Sequence, residues 1–339
     1  MGRHAVTRRQ FLTTAGFAAG GLAAGAAPGS WGPPAWAAAP KLTVGYLKNA
    51  IHHSPFVYLP RIAEKYGFSV ELLDFVRYPD VMLAMQKKQI EFGGMGYAQL
   101  PGIIAQKHEN VRGIAGNMLG ATEMVMRTGV KLESWKDYEG KKIAVPANSM
   151  AEHHLRVDAV EKGFDITKVN LLKMVPGPAA IIALKQGEID GISAWEPWVA
   201  KAVVEGIGYV PKLRIWDNSV GRINGMLGAN REFAEANRDL TVRFVKAMIE
   251  SNTWLTKNLE EHVKVAISFT GIDRAVALKS IENFTYDEKI YMKQTRAYAR
   301  LVHQYGLTKI DTSAQVHEAV DYSFLEAATG KNRRELGYD

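Results

Sequence analysis

Lys141-Lys142-Ile143-Ala144-Val145-Pro146-Ala147-Asn148-Ser149-Met150 is a junction between two kinds of local structure. The apolar, β-branched stretch 141–145 predicts a strand. Ser149 is a natural N-cap, and Glu152 three residues later completes a capping box for a helix over 150–163. Downstream the same rhythm repeats: strand 169–174, helix 178–186, strand 190–194, helix 197–205. Upstream it has already run once. Strands are predicted at 42–47, 69–75, 91–94, 111–115 and 122–127, with helices at 55–66, 79–88 and 97–107. Alternation of this kind builds open sheets with helices on both faces.

Short strands follow at 213–216 and 221–228. From 231 the chain reads as nearly all helix, clearest over 240–257, where Val242, Val245, Ile249 and Leu255 form an apolar stripe. The expected fold is therefore α/β and two-lobed. Lobe 1 comprises 41–128 and 229–339, with the helical tail packed on it, and lobe 2 comprises 129–228. Two hinge crossings, near 127–131 and 227–230, would leave a cleft between the lobes where a small ligand sits.

Composition narrows the function classes. The 339 residues contain no cysteine, which excludes a disulfide scaffold, a thiolate metal site and a Cys-acylated anchor. The net charge of +7 is inflated by the first 39 residues, which carry Arg3, Arg8 and Arg9 and no acid; the remainder has 39 basic against 35 acidic residues. The basic runs 131–142 and 331–334 are interleaved with acids or bounded by them, so no nucleic-acid partner is expected. Residues 1–39 combine Thr7-Arg8-Arg9-Gln10-Phe11-Leu12, a weakly apolar Ala/Gly run and small residues around 35–39. That pattern predicts a twin-arginine export signal and a periplasmic mature protein.

In open α/β sheets the ligand lies beyond the carboxyl ends of the strands. The loop after the first strand offers Asn49, His53 and Ser54, with Pro55 placed to open a helix. Gly94-Met95-Gly96-Tyr97 lets backbone approach a ligand at Gly96 and presents a helix start at Tyr97. Ser149 opens a second helix whose first N–H groups suit an anion. Trp195 can stack on a planar group, Glu196 can accept from an N–H donor, and Arg222 lies on the strand returning toward the hinge. His52, His53, His153 and His154 suggest a metal, but adjacent histidines point different ways, and neither a metal nor a cofactor is expected. None of the sequence motifs for phosphate, dinucleotide or zinc-protease sites is present.

Several stretches resemble one family. They are Trp135-Lys136-Asp137-Tyr138-Glu139-Gly140-Lys141-Lys142-Ile143-Ala144-Val145-Pro146 followed by Asn148-Ser149, then Ala183-Leu184-Lys185-Gln186-Gly187-Glu188-Ile189-Asp190-Gly191, and Trp195-Glu196-Pro197. Gly45-Tyr46 through Asn49, His53 and Pro55, and Ile90-Glu91-Phe92-Gly93-Gly94, add two more. Together they resemble the exported solute-binding proteins of nitrate, taurine, alkanesulfonate and pyrimidine ABC importers. The resemblance implies a type II periplasmic-binding-protein fold. It also implies a monomer that hands a small solute to an inner-membrane permease with its ATPase, and no catalysis. With Glu196 in the cleft, a small organic anion or zwitterion such as a sulfonate or taurine is the expected solute. A pyrimidine or aromatic carboxylate is the alternative on the same fold, and a cofactor- or metal-dependent periplasmic enzyme is the alternative of another class. The family's iron-dependent pyrimidine-precursor synthase carries a cysteine-rich motif that is absent here.

Overall fold

The computed structural model describes residues 39–339, so the export signal expected over 1–39 lies, but for its last residue, outside the described residues. The strands are β1 (Lys41–Leu47), β2 (Ser69–Phe75), β3 (Phe92–Gly96), β4 (Val111–Gly120), β5 (Thr122–Arg127), β6 (Lys142–Val145), β7 (Asn170–Lys173), β8 (Gly191–Trp195), β9 (Gly208–Tyr209), β10 (Ile223–Asn230) and β11 (Phe284–Tyr286). They form two sheets, ordered β11-β4-β10-β3-β1-β2 and β7-β6-β8-β5-β9. In each, parallel strands joined by helices (β2-β1-β3; β7-β6-β8) continue into antiparallel ones (β10, β4 and β11; β5 and β9).

The helical tail covers the first sheet, as expected. Helix Arg238–Lys257 buries Phe244, Val245 and Met248 in one core with Leu42, Val44 and Phe92, and the Phe92 and Phe244 rings stack at 4.0 Å. The second sheet has a core on each face, because strand side chains alternate. Met124, Met126, Ile143 and Val145 point to one face, and Val125 and Ala144 to the other.

Several expectations are corrected. Strand β5 belongs to the second sheet and β10 to the first, so the chain changes sheets at Gly120–Ala121 and again over 210–222, rather than near 127–131 and 227–230. The lobe limits drawn at 128/129 and 228/229 move accordingly. Segment 127–131 is a turn within the second sheet, where Arg127 N–H donates to Asp190 O (2.8 Å) and Thr128 N–H to Ile207 O (2.9 Å). The strand expected at 213–216 is turn structure, and the tail contributes one strand, β11. The helix expected at 55–66 is cut short. Ser54–Tyr58 is α-helical, and beyond it Leu59–Arg61 and Ala63–Tyr66 tighten into 3₁₀ turns around Pro60, which has no N–H for an α ladder.

The first crossing is tightly specified. Gly120 and Ala121 have φ of 84° and 63°, the left-handed region. Gly120 N–H donates to Arg222 O (2.8 Å), Ala121 N–H to Asn283 O (3.0 Å), and Glu196 N–H to Ala121 O (2.8 Å). Among the described residues no helix is long and apolar enough to cross a membrane.

Candidate functional site

The strand ends of the two sheets face a shared cavity of about 250 Å³. From the first sheet come Leu47, His52, Arg77, Tyr78, Gln99 and Asn224. From the second come Thr122, Asn148, Ser149, Lys173, Met174 and Trp195. Most of the remaining wall is apolar: Pro79, Ala98, Pro146, Ala147, Met150, Ala151 and Val175.

Of the residues expected to bind ligand, Gly96, Ser149 and Trp195 line this cavity. The others do not, each for a visible reason. Asn49 lies beside the wall, its carbonyl accepting the indole N–H of Trp195 (3.3 Å) and of Trp198 (3.2 Å). His53 is buried one residue behind His52. Ser54 donates its hydroxyl to Ile51 O (2.7 Å), closing a local turn. Tyr97 is buried beneath the tail with its hydroxyl on Lys289 O (3.2 Å). Glu196 is fully buried, accepting from Ala200 N–H (3.0 Å) and from the Asn283 amide; burial pushes its carboxyl up to about 7 against those two bonds. Arg222 donates to Asn283 O (2.7 Å) and lies over the Trp216 ring at 5.1 Å.

The histidine pairs are also separated by the fold. His153 bonds the Tyr298 hydroxyl on helix Met292–Gln304, and His154 lies 3.4 Å from the Asn218 amide. Among the described residues no group of three or more His, Asp or Glu could hold a metal ion.

Ser149 is the N-cap, but the expected capping box is only half closed, because Glu152 reaches past the Ser149 N–H to Asn148. The Ser149 hydroxyl accepts from Glu152 N–H (3.3 Å) and donates to Pro146 O (2.7 Å), while Glu152 accepts from Asn148 N–H (3.1 Å). The next N–H groups of helix Met150–Lys162, at Met150 and Ala151, belong to cavity residues and have no intrahelical acceptor. A helical turn also starts on the opposite wall at Tyr97, where Gly96 N–H donates to Gln99 Oε1 (2.9 Å). Two helix N-termini, one per sheet, thus border the same space, each carrying partial positive charge.

Arg77 and Lys173 add full charges. Arg77 holds Asp80 with two bonds (3.0 and 2.8 Å), and Lys173 pairs with Glu152, which also holds Arg156 (2.7 Å). Burial would raise the Glu152 carboxyl, but bonds from Lys173 and Arg156 outweigh it and hold it below the usual carboxylate range. No acidic side chain lines the cavity. Arg77, Tyr78 and Lys173 escape the sequence reading although the same rule reaches them, since they sit at the carboxyl ends of β2 and β7.

This is the architecture of periplasmic binding proteins. The alkanesulfonate-binding protein of Xanthomonas axonopodis pv. citri, solved with bound MOPS, superposes with a TM-score of 0.71 at 18% identity, covering 85% of this chain and all of that one. In sequence the chain is 24% identical over 215 residues to a Brucella abortus binding protein, covering 62% of this chain and 65% of that one. It is 25% identical over 201 residues to the taurine-binding periplasmic protein of Escherichia coli K12, covering 56% and 58%. In these matches it spans less than two thirds of the curated relative's length. Residues 37–268 match the NMT1-like family, and the chain belongs to it.

Proposed function

We propose that this protein is the solute-binding component of an ABC importer, exported through its twin-arginine signal, and that it closes on a small organic anion with an apolar body. One observation carries the reading: the cavity between the sheets has two helix N-termini, Arg77 and Lys173 on its walls, and no carboxylate. Its volume of about 250 Å³ falls below the ~300–1,000 Å³ of drug-sized pockets, which suits a metabolite. The apolar wall of Trp195, Met174, Val175 and Pro79 matches a short chain or a ring. An amine would find no counter-charge there, because Glu196 is turned into the protein, so a plain sulfonate or carboxylate fits better than taurine. Ligand contact to both walls stabilises the closed form, a shift of population that an importer can read. The wall hydroxyl of Ser149 is committed to its helix cap, which speaks for binding rather than nucleophilic chemistry.

A thermal-shift screen of alkanesulfonates, benzenesulfonate, benzoate, taurine, nitrate and pyrimidines tests this. Saturation at a hundred times the dissociation constant adds about 2.7 kcal/mol of stability. Ethanesulfonate is expected to outperform taurine. A response to pyrimidines alone, or turnover of any compound, would overturn the reading.

A further inference from the structure

We propose that Tyr78 is a fixed hydrogen-bond donor to the bound anion, its hydroxyl turned into the cavity by His53 and His52 behind it; this rests on the cavity being the ligand site. The bonds set the direction step by step. Leu47 N–H donates to His53 Nδ1 (3.1 Å), so that nitrogen is a bare lone pair. Burial pushes His53 well below the usual histidine range, the ring is neutral, and its single proton is on Nε2. Nε2 lies 3.1 Å from Tyr78 Oη and donates to it.

His52 Nε2 lies 3.2 Å from the same oxygen, and His52 Nδ1 is buried without a partner. Two arrangements satisfy these distances. If Tyr78 donated to His52 Nε2, the neutral His52 would carry its proton on Nδ1, a buried N–H with nothing to receive it. If His52 donates from Nε2, only an acceptor is left bare at Nδ1. Orphaned buried donors are rarer than under-used acceptors, which selects the second arrangement. Tyr78 Oη then receives two N–H bonds and keeps one hydrogen. The structure gives that oxygen no third protein partner, and Tyr78 lines the cavity.

The surrounding packing holds the three rings in register. His53 is stacked on Phe56 (4.8 Å between centroids) and lies against bare Gly94. The Tyr78 ring lies over two glycines: a Cβ at Gly96 would meet its Cδ2 at 3.2 Å, and one at Gly225 its Oη at 3.1 Å. A phenol that accepts two bonds is a stronger donor for the third. At this point of the wall the site therefore selects an oxyanion or carbonyl oxygen and rejects an N–H group. His53 is a positioning residue that acts through Tyr78.

The test uses intact protein with ¹⁵N-labelled histidine and long-range ¹H–¹⁵N correlation spectra, assigning signals by loss in His52→Gln and His53→Gln. Without ligand, both rings are expected neutral with the proton on Nε2 from pH 7 to 5, and Tyr78→Phe is expected to move both Nε2 signals. A proton on Nδ1 of His52 would overturn the proposal, since Tyr78 would then have no hydrogen left to give. Calorimetry with benzenesulfonate and benzoate supplies the second arm. For a probe that binds, Tyr78→Phe should lower affinity about tenfold or more, and His53→Gln should lower it as well without touching the cavity. Unchanged affinity in both variants would also overturn it. If neither probe binds, the ligand reading fails, while the tautomers still decide which way the Tyr78 hydroxyl points.

Discussion

The indole N–H of Trp195, at the end of a second-sheet strand, donates to the carbonyl oxygen of Asn49 in a first-sheet loop at 3.3 Å. Trp195 is therefore both a cavity wall and a clasp between the sheets. Trp195→Ala removes both and should weaken anion binding by about 1–3 kcal/mol. Trp195→Phe keeps most of the wall and loses the clasp, so its affinity should fall between the two. Titration calorimetry decides, and wild-type affinity in the alanine variant would reduce Trp195 to a packing residue.

Arg77 and Lys173 approach the cavity from opposite sheets, and each is already held by one carboxylate, Asp80 or Glu152. Arg77→Gln and Lys173→Gln should each weaken an anionic ligand by about 1 kcal/mol or more, the order of a hydrogen bond to a charged group. Screening shortens to ~3 Å at 1 M salt, so the loss should shrink when the titration is repeated there. Equal affinity of both variants for benzenesulfonate at low salt would place its charge elsewhere.

How much was legible follows from what each signal measures. Periodicity reports which faces are buried, and it locates nine of the eleven strands within about five residues, missing the two-residue β9 and, in the helical tail, β11. It does not report which sheet a strand joins, so β5 and β10 were assigned to the wrong lobes. The crossing is set by left-handed backbone at Gly120 and Ala121, and an alanine there gives no hint of it. At the site, small-residue and capping signals point to Gly96 and Ser149, which line the cavity, because these signals depend on local geometry. Glu196 and Tyr97 lie off the cavity, because a side chain beside a ligand loop can turn either way. Only tertiary partners, Asn283 and Lys289, decide that they turn inward.

Two glycines with similar backbone separate strain from crowding. Gly129 has φ of 92° with open space where a Cβ would stand, while Gly120 has φ of 84° and its Cβ would lie 2.6 Å from Asn283 O. Gly129→Ala should cost only the left-handed penalty, roughly 1–2 kcal/mol. Gly120→Ala adds a backbone clash at the crossing between the sheets and should cost clearly more, with about 3 kcal/mol as the expected order. Urea denaturation of the two variants checks this, and equal losses would show that the crossing yields without resistance.

Stability should level off near neutral pH and fall steeply in acid. Burial lowers the ring pKa values of His52 and His154 to about 3, of His153 and His262 to about 4, and of His53 well below the ordinary value. The unfolded chain protonates these five rings near pH 6.5. The stability from keeping them neutral is therefore complete above that pH and is lost as pH falls toward 4 and 3. Each ring costs about 1.4 kcal/mol per pH unit over that window. Asp158 and Glu196 act in the opposite sense. Burial raises both carboxyls to about 7, so the folded protein holds two protons that the unfolded chain releases near pH 4, and their contribution is present in acid and lost as pH rises through 7. Between about pH 6.5 and 4.5 five proton uptakes oppose two, and the histidines win by about 4 kcal/mol per pH unit. Urea denaturation at pH 8, 7, 6 and 5 should show nearly equal stability at pH 8 and 7 and a sharp decline below 7. A flat profile from pH 7 to 5 would mean that these rings become hydrated without unfolding.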